Sequence, residues 1–470
     1  MRNSIWRTGG TAALGVLAIM AVGTGQAQTQ ARTLQEALTL AYSTNPTLLA
    51  ARAQLRATDE GVPQALSGWR PTVVTSGSLG YGDGDAKSTR EGAAKGARLN
   101  RDIFTEQATL TQPLYNGGMT RATTNQATNR VYGQRARLIA TEQQVFGNVV
   151  NAYVNVISTQ QTLQLNINNE QVLARQLQAT NDRFRVGEIT RTDVAQAEAA
   201  LASARATRQT AEGNLQTSRA TYRQYVGELP DQLVEPQPLK LPVRNQVEAT
   251  QLASANNPNV IATLFDDAAN KDAIDVAFSA LLPQVSMQAQ ASRSDNSNSV
   301  HSRIIGGQVV LNASVPIYQG GAEYSRVRQA RQTEQQSRRT VDDVRRQSIQ
   351  QAATAWENLV ATRATIESTN AAIRANQIAL EGTQREAIVG SRTTLDVLNA
   401  EQLLLNSRVT LVQNLANLVN NSYAVAAALG RLTARDLALN VPLYDETAYY
   451  NAVKNKLWGV SDYATNQPGR

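Results

Sequence analysis

The sequence contains one unit twice, and this repetition limits the fold more than any other feature. Residues 183–194 and 385–401 each place a glycine within a long helical pattern, and an aspartate follows six positions later. The two glycines, Gly187 and Gly390, are 203 residues apart (390 minus 187). We predict that both stretches are turns between helices at the tip of a long helical hairpin.

Further pairs of motifs repeat in the same order. Asn-Pro occurs at 45–46 and at 257–258, a separation of 212 residues. Pro-x-Tyr-x-Gly-Gly occurs at 113–118 and at 316–321, a separation of 203 residues. These landmarks indicate an internal duplication, and the change from 212 to 203 makes the second copy nine residues shorter in one loop region.

Within each copy the hydrophobic period changes from helical to alternating. Helical patterns cover residues 33–67 and about 247–280. Apolar and polar residues then alternate in four segments: 72–81, 104–112, 285–292 and 304–315. These lengths are close to the ~9–11 residues that a tilted strand needs to cross a bilayer. Two soluble hairpins packed on a helix would show the same alternation.

Each pair of strands is followed by a long span that contains no proline, from 113 to 230 and from 316 to 442. Apolar residues recur every seven positions in the second span, at Leu359, Ile366, Ile373 and Leu380. The first span keeps the same register, which Glu170 interrupts. This pattern predicts coiled-coil helices, and a helix from Gly118 to Gly187 would be on the order of 100 Å long.

The N-terminal residues 1–27 have the features of a secretory leader. Arg2 and Arg7 supply positive charge, residues 11–22 form a short apolar core, and Gly25-Gln26-Ala27 offers small residues for cleavage. No other segment is apolar enough for a transmembrane helix. We therefore predict an exported protein, which can still be integral to a membrane through β-strands, since these leave only a weak signal in sequence.

Composition argues against several functional classes. The formal net charge is +7, spread along the chain, whereas nucleic-acid binders concentrate their basic residues on one face. Cysteine is absent and His301 is the one histidine, so the chain cannot assemble a His/Cys metal centre or a histidine-based catalytic triad. We predict no enzyme activity, no cofactor, no metal and no nucleic-acid partner. A hydrolase that uses paired carboxylates is an alternative, but nothing marks a pair among Asp266, Asp267 and Glu357.

Four strands cannot close a membrane barrel alone. Lipid offers no partner to free backbone groups, so strands in a membrane must form a closed barrel. The smallest such barrels have about eight strands. If the four strands span a membrane, the barrel must be shared between chains, and the helices extending from it form a conduit.

The two glycine-centred turns resemble the periplasmic turns of the TolC outer-membrane efflux family. The Asn-Pro openings, both strand pairs, the Tyr-x-Gly-Gly turns and the tail at 443–451 are also similar to that family, and the match covers nearly all of the mature chain. The resemblance implies a mainly α fold with a membrane β part. Long antiparallel coiled-coil helices would form an α-barrel, and four strands per chain would contribute to a twelve-stranded barrel in a homotrimer.

The resemblance also implies a function and partners. The protein would be the outer-membrane channel of a tripartite efflux or type I secretion system, with its helices in the periplasm. It would contact outer-membrane lipid, a periplasmic adaptor and an inner-membrane pump of the RND or ABC type. Its cargo would be drugs, toxins or proteins. An exported coiled-coil stalk or adhesin without a pore is the alternative from another class.

Particular residues match positions with roles in the family. Asp396 falls where an acidic ring lines the channel constriction, and the second ring position is Asn399, which would halve the charge. Arg392 falls where an arginine tethers the inner coil to its neighbour, and Thr192 and Asp193 fall where its partners lie. From the residues alone, each of these is a solvated group near a helix end, and Asp193 is also a candidate helix start.

Two further features concern closure and docking. The family's tyrosine that helps to latch the closed state corresponds to Ala387. The candidate contacts with the adaptor are the residues of the two turns: Val186, Gly187, Glu188, Val389, Gly390 and Ser391. Turn geometry alone would also account for the two glycines.

The repeat gives a predicted domain organisation. It consists of a signal peptide, a first repeat, a linker, a second repeat and a C-terminal tail in the equatorial region. Each repeat contains a helix, a β-hairpin and a long helical hairpin, with tips near 187 and 390. The corresponding ranges are 1–27, 28–227 with the hairpin at about 72–113, 228–244, 245–440 with the hairpin at about 284–316, and 441–470.

Overall fold

The computed structural model describes residues 32–86, 97–98, 100–297 and 301–461. The predicted leader at 1–27 and the end of the predicted tail lie outside the described residues. The described part contains ten α-helices: α1 (Leu34–Thr44), α2 (Pro46–Asp59), α3 (Gly61–Leu66), α4 (Met119–Arg185), α5 (Arg191–Val226), α6 (Gln246–Asn256), α7 (Pro258–Ser279), α8 (Ala322–Ile388), α9 (Thr394–Ala428) and α10 (Ala448–Val453). The order of elements in the first half recurs in the second, which confirms the internal repeat.

The strands form one antiparallel sheet that joins the two halves. The described strands are β1 (Thr72–Gly82), β2 (Asp85–Ala86), β3 (Ala97–Arg98), β4 (Arg101–Asn116), β5 (Gln284–Asp295) and β6 (Arg303–Ser314). The sheet has the order β1-β4-β5-β6, and β2 pairs with β3 in a separate two-residue ladder. The four predicted strands are confirmed. They make one sheet because β4 of the first half pairs with β5 of the second, and they do not form two separate hairpins.

Near its middle the sheet has one apolar and one polar face, because side chains alternate along each strand and the register aligns them across strands. One row across the sheet is apolar: Val73, Leu110, Ala289 and Val309. The next row lies on the opposite face and is mostly polar: Val74, Thr109, Gln290 and Gln308. On that face the side-chain amide of Gln308 donates to Gln290 Oε1 at 3.0 Å. Both outer strands, β1 and β6, are exposed along nearly their whole length.

Long helices dominate the remainder. Helices α4 and α8 contain 67 residues each, so each is on the order of 100 Å long. Helix α5 packs back along α4, and α9 packs back along α8, which confirms the predicted long helical hairpins. Among the described residues, no helix combines the length and the apolar character needed to cross a lipid bilayer.

An interhelical ion pair accounts for the break in the heptad pattern at Glu170. Its carboxylate lies 3.3 Å from Arg205 Nε and 2.8 Å from Arg208 Nε, and both arginines are on α5. Glu170 therefore replaces an apolar contact between α4 and α5 with a charged one. Arg208 also pairs with Glu212 at 2.7 Å, one turn further along α5.

The main core lies midway along α4, beside the C-terminal ends of α5 and α9, where α1, α2 and the linker pack. Its largest fully buried side chains include Phe146, Tyr153 and Tyr222. The hydroxyl of Tyr153 lies 2.7 Å from Arg32 O and 2.6 Å from Val234 O, which ties the start of the described chain to the linker. This core fixes the base of the hairpins, where the returning helices end, and leaves the tips outside it.

The two Asn-Pro motifs perform the same task in each half. Asn45 Oδ1 accepts from Thr47 N–H at 3.0 Å, and Asn257 Oδ1 accepts from Asn259 N–H at 2.9 Å, so each caps the helix that the proline begins. Their amide groups donate to carbonyls near the ends of the returning helices, from Asn45 to Tyr225 O and from Asn257 to Ala428 O. Each motif thus joins a short helix to the base of its own long hairpin.

Candidate functional site

The first tip, at the end of α4, is closed by a glycine with a positive φ. Gly187 has φ +82°, which is a left-handed conformation that residues with a Cβ adopt only with strain. Its N–H donates to Phe184 O at 3.0 Å, and Glu188 N–H donates to Arg183 O at 3.0 Å. These are the two bonds of a Schellman motif. An ion pair of 3.0 Å between Arg183 Nε and Glu188 Oε2 closes the same turn.

The second tip, at the end of α8, has the same backbone geometry. Gly390 has φ +83°, and its N–H donates to Ala387 O at 3.3 Å. Ser391 donates from both its N–H and its hydroxyl to Glu386 O, each at 3.0 Å. The duplicated sequence therefore produces two duplicated turns.

The tips expose apolar side chains that the turn geometry does not require. Val186 is 72% exposed, and at the other tip Ile388 is 81% and Val389 is 79% exposed. The predicted docking residues Gly187, Glu188, Gly390 and Ser391 are also exposed. Each tip thus presents a small apolar surface at the end of a rigid helical hairpin.

Asp193 and Asp396 lie in the first turn of the returning helices, each as the third helical residue. Thr190 and Thr393 are the N-cap residues of α5 and α9, and each aspartate completes a capping box. Asp396 Oδ2 accepts from Thr393 N–H at 3.0 Å and from the Thr393 hydroxyl at 2.8 Å. Asp193 Oδ2 accepts from the same two groups of Thr190, at 2.9 and 2.7 Å. A capping role is thus visible for both residues within a single chain.

The caps change how these carboxyl groups titrate. The hydrogen bond from the Thr393 backbone, followed by the bond from its hydroxyl, lowers the pKa of Asp396 below its ordinary value of 3.8. The Thr190 side chain, followed by its backbone, lowers the pKa of Asp193 in the same way. Both carboxylates are therefore ionised at any pH near neutrality.

Arg392 makes its contact within its own chain. Its Nε lies 2.9 Å from Glu386 Oε2, an ion pair that crosses the second turn and raises the pKa of Arg392. Among the described residues, no hydrogen bond or ion pair joins Arg392 to Thr192 or Asp193 of the same chain. Thr192 and Asn399 are exposed.

Sequence reasoning did not select Glu386, Leu398 or Glu401 as functional residues. Leu398 packs with Leu173, Leu201 and Ala204, which is the contact between the second hairpin and the first just above the tips. Glu401 lines a small cavity beside this contact and accepts from the Gln384 amide at 3.2 Å. Burial raises the pKa of Glu401. The apolar spacing of α9 was visible in the sequence, but its partners on the other hairpin were not.

Comparison with known proteins decides the family. A family model described as outer membrane efflux protein matches residues 28–228 and 249–431, which is most of both repeats. The chain belongs to the outer membrane efflux protein family. Membership confirms the predicted outer-membrane location and the predicted class of function, a channel component of an export system.

Individual relatives agree with this family. The chain is 35% identical over 452 residues to the outer membrane efflux protein BepC of Brucella suis biovar 1 (strain 1330), covering 95% of this chain and 96% of the relative. It is 26% identical over 437 residues to the outer membrane protein TolC of Escherichia coli (strain K12), with 87% and 85% covered.

Solved structures share the fold. The crystal structure of the Campylobacter jejuni CmeC outer membrane channel superposes with a TM-score of 0.76 at 16% identity. The match covers 90% of this chain and 89% of CmeC. The channel fold of this efflux family is thus built from the helical hairpins and the four-stranded sheet described above.

Proposed function

We propose that three copies of this chain assemble into one continuous duct, with a twelve-stranded barrel in the outer membrane and a helical tunnel in the periplasm. One observation carries the proposal. The four-stranded sheet ends in two exposed strands, β1 and β6, and exposes an apolar face. Backbone groups at these edges need partners in lipid, and β1 of one copy pairing with β6 of the next supplies them.

The faces of the sheet then acquire their roles. The apolar row that includes Val73 and Val309 faces lipid, and the polar row that includes Gln290 and Gln308 faces the lumen. This is the alternation expected of a water-filled membrane barrel. Each predicted repeat then contributes to three levels of the duct. Its strands span the membrane, its core surrounds the middle of the tunnel, and its tip lies at the far end.

At the far end, Asp396 and Asn399 form the constriction. Three copies of Asp396 around the axis would attract cations, because like charges converge on a narrow opening. One oxygen of each carboxylate is used by the cap at Thr393, and the other is available to the lumen. Asn399 lies about one turn further along α9 and adds no charge.

The tethers and the docking surface lie at the same end of the duct. Arg392 exchanges its partner Glu386 for Thr192 and Asp193 of a neighbouring copy when the tunnel closes. The exposed tips at Val186–Glu188 and Val389–Ser391 contact a periplasmic adaptor, which couples the duct to an inner-membrane pump. The cargo is a drug, a toxin or a protein, and the chain itself performs no catalysis.

The test combines stoichiometry and conductance. Native mass spectrometry of the detergent-purified protein should give the mass of three mature chains, and the same sample in a planar bilayer should carry ionic current. A stable monomer, or trimers that carry no current even after Arg392→Ser loosens the tips, would contradict the duct. The second result would favour the alternative of a coiled-coil stalk without a pore.

A further inference from the structure

The last described residues of the chain expose a cluster of apolar side chains. Leu457 is 74% exposed, Trp458 is 90% exposed and Val460 is 105% exposed. Tryptophan normally contributes a large buried area, so an indole with almost no protein contact needs another environment. We refer to residues 456–460 as the tail cluster.

Hydrogen bonds place the tail cluster at the base of the sheet. The tail passes along the end of α2, where the Tyr449 hydroxyl contacts Glu60 Oε1 at 2.7 Å. Further along, Arg70 Nη1 donates to the backbone carbonyl of Lys456 at 3.0 Å. Arg70 lies two residues before β1 begins at Thr72. The tail cluster is therefore at the end of the sheet that leads into the helices.

A second contact fixes the level of this region relative to the strands. The Gln112 amide, near the end of β4, donates to Trp69 O at 3.0 Å. Trp69 is 43% exposed, next to the arginine that holds the tail. Two tryptophans, Trp69 and Trp458, thus belong to segments that meet where the apolar face of the sheet ends.

The chemistry of this region suits the boundary between lipid and water. Residues 447–461 contain no acidic side chain, and they carry two lysines, Lys454 and Lys456. Arg70 adds a third cation beside them. Tryptophan rings prefer the headgroup level of a bilayer, and lysine and arginine extend toward lipid phosphates from there.

We propose that the tail cluster is an interfacial anchor, which inserts Leu457, Trp458 and Val460 among the phospholipid headgroups on the periplasmic side of the outer membrane. The proposal rests on the proposed function, because it needs the sheet to lie in that membrane. The anchor would fix the depth of the barrel and, through the tail, join the membrane surface to the core around α2. The sequence contains no cysteine, so a lipid attached to a cysteine side chain cannot serve as this anchor.

Fluorescence quenching by lipids tests the anchor in the full chain. The sequence has four tryptophans, Trp6, Trp69, Trp356 and Trp458, and replacing the first three by phenylalanine leaves Trp458 as the sole emitter. The protein is reconstituted in phosphatidylethanolamine and phosphatidylglycerol vesicles that contain a lipid brominated either near the carbonyl end or near the middle of its acyl chain. We expect a loss of Trp458 emission that is larger with the shallow bromines than with the deep ones.

Two matched variants separate failure of the anchor from failure of the duct. A protein with Val309→Trp as its sole tryptophan reports the middle of β6 on the apolar face, and lipid bromines at the deep position should quench it most. A protein that keeps only Trp356, within α8, should be quenched by neither lipid.

Each outcome has one meaning. If the tryptophan at position 309 is quenched and Trp458 is not, the anchor is wrong and the duct stands. In that case quenching of Trp458 by aqueous acrylamide means a tail free in water, and resistance to every quencher means a tail covered by a second copy. If the tryptophan at position 309 is not quenched, the sheet is not in lipid, and the proposed function fails together with the anchor.

Discussion

At the scale of single residues, Asp396 combines a structural role with a proposed functional one. Its carboxylate caps α9, so replacement by alanine would remove both the charge and the cap. Replacement by asparagine removes the charge and keeps an oxygen that can accept from Thr393. Glu36 completes a capping box with Thr33 at the start of α1, away from the tips, which makes it a control for loss of a capping charge.

We predict that Asp396→Asn abolishes block of the channel by a trivalent cation applied at the tips, and that Glu36→Gln keeps the block. The cap lowers the pKa of Asp396 within one chain, and the convergence of three carboxylates at the constriction acts in the opposite direction. Single-channel recording in planar bilayers measures the block in both variants. Unchanged block in Asp396→Asn would place the constriction elsewhere.

Asp59 is a second residue whose environment sets a measurable property. It is completely buried at the end of α2, and neither carboxylate oxygen has a described hydrogen-bond partner. Burial raises its pKa to about 7, against an opposing effect of the Arg135 charge. Glu60 and Glu446 also favour the protonated form, and Arg56 opposes it.

The sign of the resulting pH dependence follows from linkage. In the unfolded chain Asp59 titrates near 3.8, whereas in the folded chain it keeps its proton up to about pH 7. The folded state therefore binds more protons between these values, and its stability falls as pH rises through this range. We predict that Asp59→Asn flattens this fall, measured as the difference in thermal midpoint between the two proteins from pH 5 to pH 8. An identical slope in both proteins would contradict the assignment.

At the scale of elements, the tips depend on backbone conformation and not on available space. An added Cβ would meet no atom within 4 Å at either Gly390 or Gly382. Gly390 has φ +83° in the turn, and Gly382 lies within α8 with ordinary helical geometry. The same substitution should therefore have opposite effects at two sites eight residues apart.

We predict that Gly390→Ala destabilises the second tip by about 1 kcal/mol and that Gly382→Ala stabilises α8 by a similar amount, about 1 kcal/mol. Hydrogen exchange of the amides around residues 386–391 measures the first effect as faster exchange in Gly390→Ala. Slower exchange near residue 382 measures the second. Equal changes of one sign would mean that the turn does not need its left-handed residue.

The elements also show what the sequence could and could not predict. Helices, strands and tips follow from local periodicity and from the duplicated motifs, and they were predicted from these. Glu170 was visible in the sequence as a break in the heptads. Its ion pairs could not be predicted, because the partners Arg205 and Arg208 lie on another helix, about 35 residues later in the chain. The capping box of Thr393 and Asp396 has a local spacing that is visible in the sequence. The family resemblance predicted an acidic ring at Asp396, and the capping role was not predicted. The pair of Arg392 and Glu386 crosses a turn, where no helical spacing rule applies.

At the scale of the whole molecule, the two repeats are not independent domains. Strand β4 pairs with β5 of the other half along nearly its full length. Helix α7 packs along α4, where Asn129 Nδ2 donates to Asp272 Oδ2 at 2.7 Å and Arg137 pairs with Asp266. Such pairing over more than 120 residues could not be read from either repeat alone.

We predict that residues 28–244 and 245–470, exported as separate chains, form no stable membrane protein individually and restore a heat-modifiable species when they are exported together. Each half alone leaves either β4 or β5 without its partner and uncovers one side of α4 or α7. Electrophoresis of outer-membrane fractions with and without heating measures this. A folded, membrane-inserted first half alone would show that the halves are separable.

The pairing of β4 with β5 also limits the order in which an exported chain can fold. Arg101–Asn116 leaves the export machinery long before Gln284–Asp295, so the inner edge of β4 stays open while the first long hairpin and the linker emerge. A strand with an open edge is a template for pairing with other chains. The periplasm must therefore hold a partly exported protein, already rich in helix, in which one edge of β4 has no partner until the second repeat arrives.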